Sequence, residues 1–218
     1  MSQSLETAAA PRSESRRRIW IAGAIVLAVI AAIALDTKVV RVGSDSDTRQ
    51  QAFSPDTYGQ AEFPRIKDAV IAKAVDVVTL AQAVQADKAA AAKEYGTPAT
   101  TGTVMMVKFT GVAGEAKSGV YEMAIDGMPE GISVRLQTGP AINGTDLRDA
   151  PGDIEFGAFK NQIEYQDAGS AINRAMKTAV LDGIDTANLT GKTLEVTGAF
   201  TLINAKMWRI TPVSVTVQ

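Results

Sequence analysis

The chain contains 218 residues, of which 46% are apolar and 21% are charged, and its formal net charge is −2. This length suits one domain with an additional anchor, and this composition is typical of a globular protein. The sequence has no Cys and no His. Disulfides, thiolate and imidazole metal sites, cysteine nucleophiles and Ser-His-Asp arrangements are therefore excluded. The small acidic charge argues against a nucleic-acid-binding surface.

The N-terminal region predicts a membrane anchor. Residues 1–15 are small and polar, and we expect them to form a disordered cytoplasmic tail. Three arginines, Arg16–Arg18, then precede the uninterrupted apolar run Ile19–Leu35, which as a helix spans roughly 25 Å, the short end of what crosses a bilayer. Basic residues before the run and Asp36 after it place the N-terminus in the cytoplasm. We expect residues 16–35 to be a transmembrane signal anchor.

A cleaved signal peptide is the alternative for this segment. Ala32-Ile33-Ala34 supplies a small-x-small cleavage motif. The apolar run is longer than the ~7–15 residues of a usual signal-peptide core, which favours the uncleaved anchor. Both interpretations place residues 36–218 outside the cytoplasmic membrane.

The exported part divides into a polar linker and a mixed domain. Residues 36–63 are predicted to be the linker, with a lead-in strand at Lys38–Val42. Apolar residues at spacings of three and four predict helices over residues 64–95, with one or two breaks. Thr79 and Asp87 are the expected capping residues. After Pro98 the apolar period becomes two, which is typical of strands.

The order of the later elements predicts the fold class. Three strands, a helix and two strands follow one another between residues 100 and 218. This α+β order is that of a five-stranded OB-like small β-barrel with an inserted helix; an open antiparallel sheet packed by helices is the alternative. The first strand is expected to end in a turn at Gly111–Gly119, and a phase slip at Pro212 predicts a bulge or an edge. Strand alternation predicts one shared core for Met123, Ile125, Val134, Leu136, Val196 and Phe200.

The segment 139–165 is the candidate binding site, because it is dense in hydrogen-bonding side chains. Arg148 could clamp the hydroxyls of a polyhydroxylated ligand, while Phe156, Phe159 or Tyr165 stacks on a sugar face. In the structural alternative, Arg148 pairs with Asp146 or Asp149, Asn161 and Gln162 bond backbone groups, and the two Phe are core. The candidate ligand- or partner-binding residues are Asn143, Thr145, Arg148, Asp149, Asn161, Gln162 and Tyr165.

No motif predicts a cofactor, a metal or a catalytic residue. The acidic positions 146, 149, 153 and 155 do not have EF-hand spacing, and Arg148 lies among them. The sequence has no P-loop, no G-x-G-x-x-G and no G-x-S-x-G elbow. A carboxylate-dependent enzyme acting on glycans remains the alternative function, because acidic residues are plentiful.

Several segments resemble a known family. KAVDVVTLAQAVQAD, INGTDLRDA, FKNQIEYQD and GKTLEVTGAFTLIN are similar to the predicted periplasmic lipoproteins called domain of unknown function 2291, and the resemblance covers residues 38–218. It implies an exported, membrane-tethered bacterial protein, often encoded beside sugar-type ABC transporters. No catalytic residues are defined for the family. Without Cys there is no lipid-modified N-terminus, so the tether falls to the helix.

These observations predict an inner-membrane protein that crosses the bilayer once through residues 19–35, with its C-terminal domain in the periplasm. The expected function is that of a non-catalytic accessory or binding protein without a cofactor. The resemblance suggests components of a sugar ABC transporter as partners, and segment 139–165 suggests a small polyhydroxylated ligand. Nucleic acid is not an expected partner.

Overall fold

The computed structural model describes residues 12–36 and 53–218, which fall into two separate units. The first unit holds helix α1 (Arg12–Asp36), whose part from Arg18 to Asp36 has a mean hydropathy of 2.5 and is long and apolar enough to cross a membrane. The helix begins at Arg12 rather than at residue 16, since Arg and Glu continue a helix readily. The rest of the predicted tail (1–11) and the lead-in strand at 38–42 lie outside the described residues.

The second unit is a mixed α+β domain. Its helices are α2 (Pro55–Lys73), α3 (Val77–Ala86), α4 (Lys88–Tyr95), α5 (Asp146–Asp149) and α6 (Gln162–Met176), and α6 continues as a π-helical segment, Lys177–Leu181. Its strands are β1 (Val75–Asp76), β2 (Gly96–Ala99), β3 (Gly102–Lys117), β4 (Val120–Ala124), β5 (Ser133–Gln137), β6 (Thr193–Thr201) and β7 (Met207–Val217).

Helix α2 corrects the predicted linker, which was wrong from residue 55 onward. The helix starts at Pro55, where proline fits because a first-turn residue needs no N–H partner. Pro64, expected at the start of the helix, lies inside it. An interior proline removes a backbone hydrogen bond, so packing must hold this helix. Helix α2 packs against α6, and the two come so close that a Cβ on Gly59 would overlap the backbone oxygen of Ala171.

Aspartate caps set the two short helices that follow. The carboxylate of Asp76 accepts hydrogen bonds from the N–H groups of Val78 and Thr79, each at 3.0 Å, so α3 starts there. The prediction that Thr79 caps this helix was wrong, because a residue in the first turn cannot also occupy the cap. The predicted cap of α4 by Asp87 is confirmed, with bonds of 2.8 and 3.1 Å to the next turn.

Each of the five strands β3 to β7 pairs with two others of this set, so the pairings run in a ring. The antiparallel pairs β3–β4 and β4–β5 are followed by the parallel pair β5–β7 and the antiparallel pair β7–β6, and β6 pairs with β3 again. The short strands β1 and β2 both add to β3. Helix α6 lies between β5 and β6 in the chain, as the predicted order of three strands, one helix and two strands required.

Strand β3 is longer than predicted. Gly111 does not end it; the strand continues to Lys117, and the turn is confined to Ser118 and Gly119. The first part of β3 pairs with β6, and its last part pairs with β4 through a register shift between Ala113 and Ala116. A bulge of this kind bends a strand, which lets one strand serve two partners.

Strand β7 bends as predicted. Gly198 faces Pro212 and Thr197 faces Ser214, so Val213 is an extra residue in β7. The expected bulge at Pro212 is therefore confirmed. Proline is tolerated at a bulge because the ladder is interrupted there.

Two apolar clusters lie on the two faces of the sheet. The first contains Met123, Val134, Leu136, Val196 and Phe200, with Ile125 packed against it, so the predicted shared core is confirmed. The second joins α2 and α6 to the other face of β3, β6 and β7. Consecutive residues 104–107 are buried because β3 is covered on both faces.

The close approach of α2 and α6 predicts opposite effects for two glycine substitutions. Gly59→Ala should destabilise the domain by about 1–3 kcal/mol, because the added methyl overlaps the backbone of α6. Gly169→Ala is the matched control in α6, because its Cβ would lie 3.6 Å from the nearest atom and would overlap nothing. The higher helix propensity of alanine should raise the free energy of unfolding by about 0.5–1 kcal/mol. Urea unfolding of both variants measures the difference, and a shift of the same sign in both would contradict this packing.

Candidate functional site

A groove of about 670 Å³ lies along the end of the β3–β4 hairpin, strand β5, and the ends of β6 and β7. We call it the sheet groove. Its charged lining side chains are Glu115, Lys117, Glu122, Arg135, Asp146 and Arg209, and its uncharged polar ones include Thr101, Ser118, Thr145, Thr201 and Asn204. Side chains of both charges, and both hydrogen-bond donors and acceptors, therefore line the same groove.

Asp146 is the buried carboxyl of the groove. It begins α5, and only 8% of the residue is exposed. Its Oδ1 accepts a hydrogen bond from the hydroxyl of Thr201 at 2.6 Å, and its Oδ2 accepts one from Thr211 at 3.0 Å. Burial raises the pKa of Asp146 above its ordinary value of 3.8, although the two threonine hydroxyls and the charge of Arg209 oppose that shift.

The segment before Asp146 is held from both sides by side-chain amides. Gln137, at the end of β5, donates to the carbonyl of Asn143 at 3.1 Å and accepts from its N–H at 3.2 Å. The Nε2 of Gln137 also donates to Thr211 at 2.9 Å. From α6, Asn173 donates to the carbonyl of Gly144 at 2.9 Å. Asn143 therefore acts here through its backbone, while the residue itself is exposed.

Arg148 is a buried contact inside its own segment. It is 4% exposed and donates to both carboxylate oxygens of Asp149, at 2.8 and 3.2 Å. It also donates to the carbonyl of Tyr165 at 3.1 Å, and its guanidinium carbon lies 3.6 Å from the centre of that ring. Thr145 donates to Asp149 at 2.7 Å. The structure thus brings four predicted site residues together as one hydrogen-bonded cluster.

The other two candidates, Asn161 and Gln162, lie at the start of α6. The side chain of Asn161 accepts from the N–H of Glu164 at 2.9 Å, which makes it the N-cap. Glu164 in turn accepts from the N–H of Lys160 at 3.0 Å. Gln162 is exposed on the first turn. Asn161 therefore bonds the backbone, as the structural alternative predicted.

The aromatic residues of the segment are not core. Phe156 is 49% exposed, so its prediction as a core residue was wrong, and Phe159 is half-buried. Phe159 instead lies 5.6 Å from both Phe53 and Tyr58 and 5.3 Å from Tyr165, ring centre to ring centre. Burial raises the pKa of Tyr58 above its ordinary value of 10.0. This cluster could not be predicted from the sequence, because Phe53 and Tyr58 lie in the predicted linker.

The cations of the groove were also missed by sequence reasoning. Arg135 alternates with Val134 and Leu136 on β5, and Arg209 lies between the buried Trp208 and Ile210 on β7. Alternation marks both as outward-facing. Alternation within each strand does not show which residues of β5 and β7 are paired, so the two arginines come together only in the fold.

Acidic residues of the candidate segment go to separate partners. Asp153 pairs with Arg65 at 2.6 Å, Asp149 with Arg148, and Asp146 with two threonines. Within residues 12–36 and 53–218, no group of three or more acidic side chains is placed to hold a metal ion.

The buried pair of Arg148 and Asp149 predicts a large stability effect. Arg148→Ala should cost about 3–5 kcal/mol in urea unfolding, because it leaves a buried carboxylate without its partner. Arg148→Lys should recover only part of the loss, since an ammonium cannot form the two-pronged contact. The control Arg65→Ala breaks an exposed ion pair and should cost less than about 1 kcal/mol. Equal losses of unfolding free energy in Arg148→Ala and Arg65→Ala would contradict a stabilising buried pair of Arg148 and Asp149.

The raised pKa of Asp146 predicts a pH dependence. Between the unfolded pKa and the raised folded pKa, the folded state binds more protons, so the free energy of unfolding falls as pH rises through this window. The stabilisation from Asp146 is complete below its ordinary value of 3.8 and is lost above the folded pKa. Asp146→Asn should flatten this part of the profile of melting temperature against pH. The exposed control Asp126→Asn should keep the wild-type slope; an unchanged slope in Asp146→Asn would contradict the assignment.

Among solved structures, the chain is similar to an OB-fold protein from Thermotoga maritima determined by crystallography. The two share 15% sequence identity with a TM-score of 0.64, and the match covers 77% of this chain and 100% of that one. At this identity the likeness shows the fold alone. No curated protein matches the sequence.

A family profile described as "Predicted periplasmic lipoprotein (DUF2291)" matches residues 24–216. This range includes the sheet groove, the buried cluster around Arg148 and most of the apolar part of α1. The resemblance seen in the sequence segments is confirmed. The chain belongs to the DUF2291 family of predicted periplasmic lipoproteins.

Proposed function

We propose that this protein is a membrane-anchored periplasmic binding protein whose sheet groove takes a small polyhydroxylated ligand without changing it chemically. The observation that carries the proposal is the lining of the groove, where carboxylates, guanidinium groups and hydroxyls face one open space. Sugar hydroxyls both donate and accept, so a surface with both kinds of partner suits them.

We also infer that the ring of strand pairings is a closed OB-type barrel. The support is that β3, β4, β5, β7 and β6 pair in succession and that β6 returns to β3. In OB barrels, ligands bind over the second and third strands and between the loops that follow the first and fourth strands. The corresponding positions here hold Glu122 on β4, Arg135 on β5, Ser118 in the β3–β4 turn and Asn204 after β6, and all four line the sheet groove.

The composition of the groove supports a sugar over a nucleic acid. OB-fold surfaces that bind single strands use a basic groove with stacking aromatic side chains. The residues described as lining the sheet groove include acidic Glu115 and Glu122 and no aromatic side chain. The ring of Tyr165 lies on Arg148 and is not among the residues that line the sheet groove, so the predicted stacking of Tyr165 on a sugar does not occur at this site.

The environment of the carboxyl groups in the sheet groove favours ligand binding over glycan hydrolysis. A glycosidase uses two carboxyl groups across the bond that breaks, one of which carries a raised pKa. In the sheet groove Asp146 is buried, whereas Glu115 and the side chain of Glu122 are exposed. Both oxygens of Asp146 already accept threonine hydroxyls, which does not suit a general acid that must give a proton to a substrate, and this supports a binding role. The link to a carbohydrate ABC transporter comes from the family resemblance alone and stays a prediction.

The anchor is the first testable part of this proposal. If α1 is retained as a single membrane span, the mature protein keeps its N-terminus and stays with the membrane fraction through high-salt and carbonate washes. Replacing the two central residues Val26→Arg and Val29→Arg should release it, because charges at the centre of a membrane span are costly. N-terminal sequencing that begins at Leu35 would show a cleaved signal peptide instead.

Ligand binding is the second testable part. We expect neutral sugars or polyols to raise the melting temperature of the full chain in detergent, since a ligand at 100 times its Kd adds about 2.7 kcal/mol. Glu115→Ala removes a charged acceptor from the groove and should raise Kd about tenfold. The control Glu195→Ala removes an exposed strand carboxylate outside the groove and should leave Kd unchanged. Identical effects of both substitutions would contradict binding at this site.

A further inference from the structure

We propose that the ligand of the sheet groove carries one anionic group, and that Arg135 and Arg209 together hold this group. The inference rests on the proposed function and narrows its ligand to an anionic sugar, either a sugar acid or a sugar phosphate. It concerns the two cations that lie side by side on β5 and β7, apart from the buried cluster around Arg148.

The strand register places the two arginines together. In the parallel pair β5–β7, Arg135 is the direct partner of Arg209, and Ser133 is the partner of Met207. Directly paired residues project from the same face of a sheet, and both arginines line the sheet groove. Like charges at paired positions destabilise a sheet unless an anion lies near them. The pair is therefore a constraint that a bound anion would relieve.

The fold supplies only part of the opposing charge. On β4, Glu122 is the partner of Arg135, but its Oε1 is 4.0 Å from the Nε of Arg135 and accepts the hydroxyl of Ser133 at 2.7 Å. Among the described residues, Arg209 makes no ion pair and no side-chain hydrogen bond. The carboxyl of Asp146 attracts it, yet both oxygens of Asp146 already accept threonine hydroxyls. The donors of Arg209 are thus left for the groove.

The geometry of these donors fits one anionic group with hydroxyls around it. A guanidinium offers fixed, paired N–H groups that match carboxylate or phosphate oxygens. Glu115 and Glu122 at the same groove repel a polyanion, and they accept hydrogen bonds from neutral hydroxyls. One anionic group at the arginine pair, with hydroxyls directed toward the carboxylates, satisfies both requirements.

The test is isothermal titration of the full chain in detergent with D-glucose, D-glucuronate and D-glucose 6-phosphate. We expect at least one anionic sugar to bind about tenfold or more tightly than glucose, and the better of the two identifies the anion as carboxylate or phosphate. Arg209→Gln should remove most of this preference, because it should lower the affinity for the anionic sugar far more than the affinity for glucose. Arg135→Gln should act in the same direction. Both side chains are exposed and each substitution removes one of two paired like charges, so the melting temperature without ligand should equal or exceed that of the wild type.

The matched control is Lys192→Gln, which removes one exposed positive charge outside the groove. It should leave all three affinities unchanged; a loss equal to that of Arg209→Gln would mean that net charge, and not the arginine pair, attracts the anion. Equal affinity for glucose and both anionic sugars would overturn this inference and leave the proposed function standing. Binding of none of the three would contradict the anionic-sugar site, and failure of a wider set of sugars and polyols would contradict the proposed function as well.

Discussion

The carboxyl of Asp146 lies where β6, β7 and the segment between β5 and α6 meet, and it must be hydrogen-bonded because burial of a bare carboxylate is costly. Thr201 from β6 and Thr211 from β7 supply those bonds. The same Thr211 accepts from Gln137, whose amide also holds the backbone of Asn143. One buried acid thereby fixes the long segment to the sheet and sets one wall of the groove.

Helix α5 connects the sheet to the helices α2 and α6, because its consecutive residues contact one and then the other. Asp146 bonds to the sheet, Leu147 packs in the cluster under α2 and α6, and Arg148 bonds to the carbonyl of Tyr165 on α6. A four-residue helix has little stability of its own. Its position therefore depends on these buried contacts, and the groove wall depends on its position. Helix α2 packs closely on α6 at Gly59, and these two helices cover Leu147 of α5.

Periodicity predicted much of the fold, because alternation and helical spacing report directly on burial. The five long strands, helix α6, the bulge at Pro212 and the shared core around Leu136 follow from such patterns. Periodicity failed where long-range packing decides. Helix α2 contains Pro64 and is held by α6, and β3 passes Gly111 because two different strands pair with it. Neither partner is visible from local sequence.

The residues predicted as a site in segment 139–165 and the residues that line the sheet groove are largely different sets, again because long-range packing decides which side chains meet. Segment 139–165 is dense in polar side chains, and many of these groups satisfy one another or the backbone. The groove uses side chains scattered over β3, β4, β5 and β7, each unremarkable in its own strand. Because Arg135 and Arg209 are exposed, changing them costs the fold little, whereas changing Arg148 removes a buried partner. The charge of the sheet groove can therefore vary within this architecture while the segment around Arg148 stays fixed.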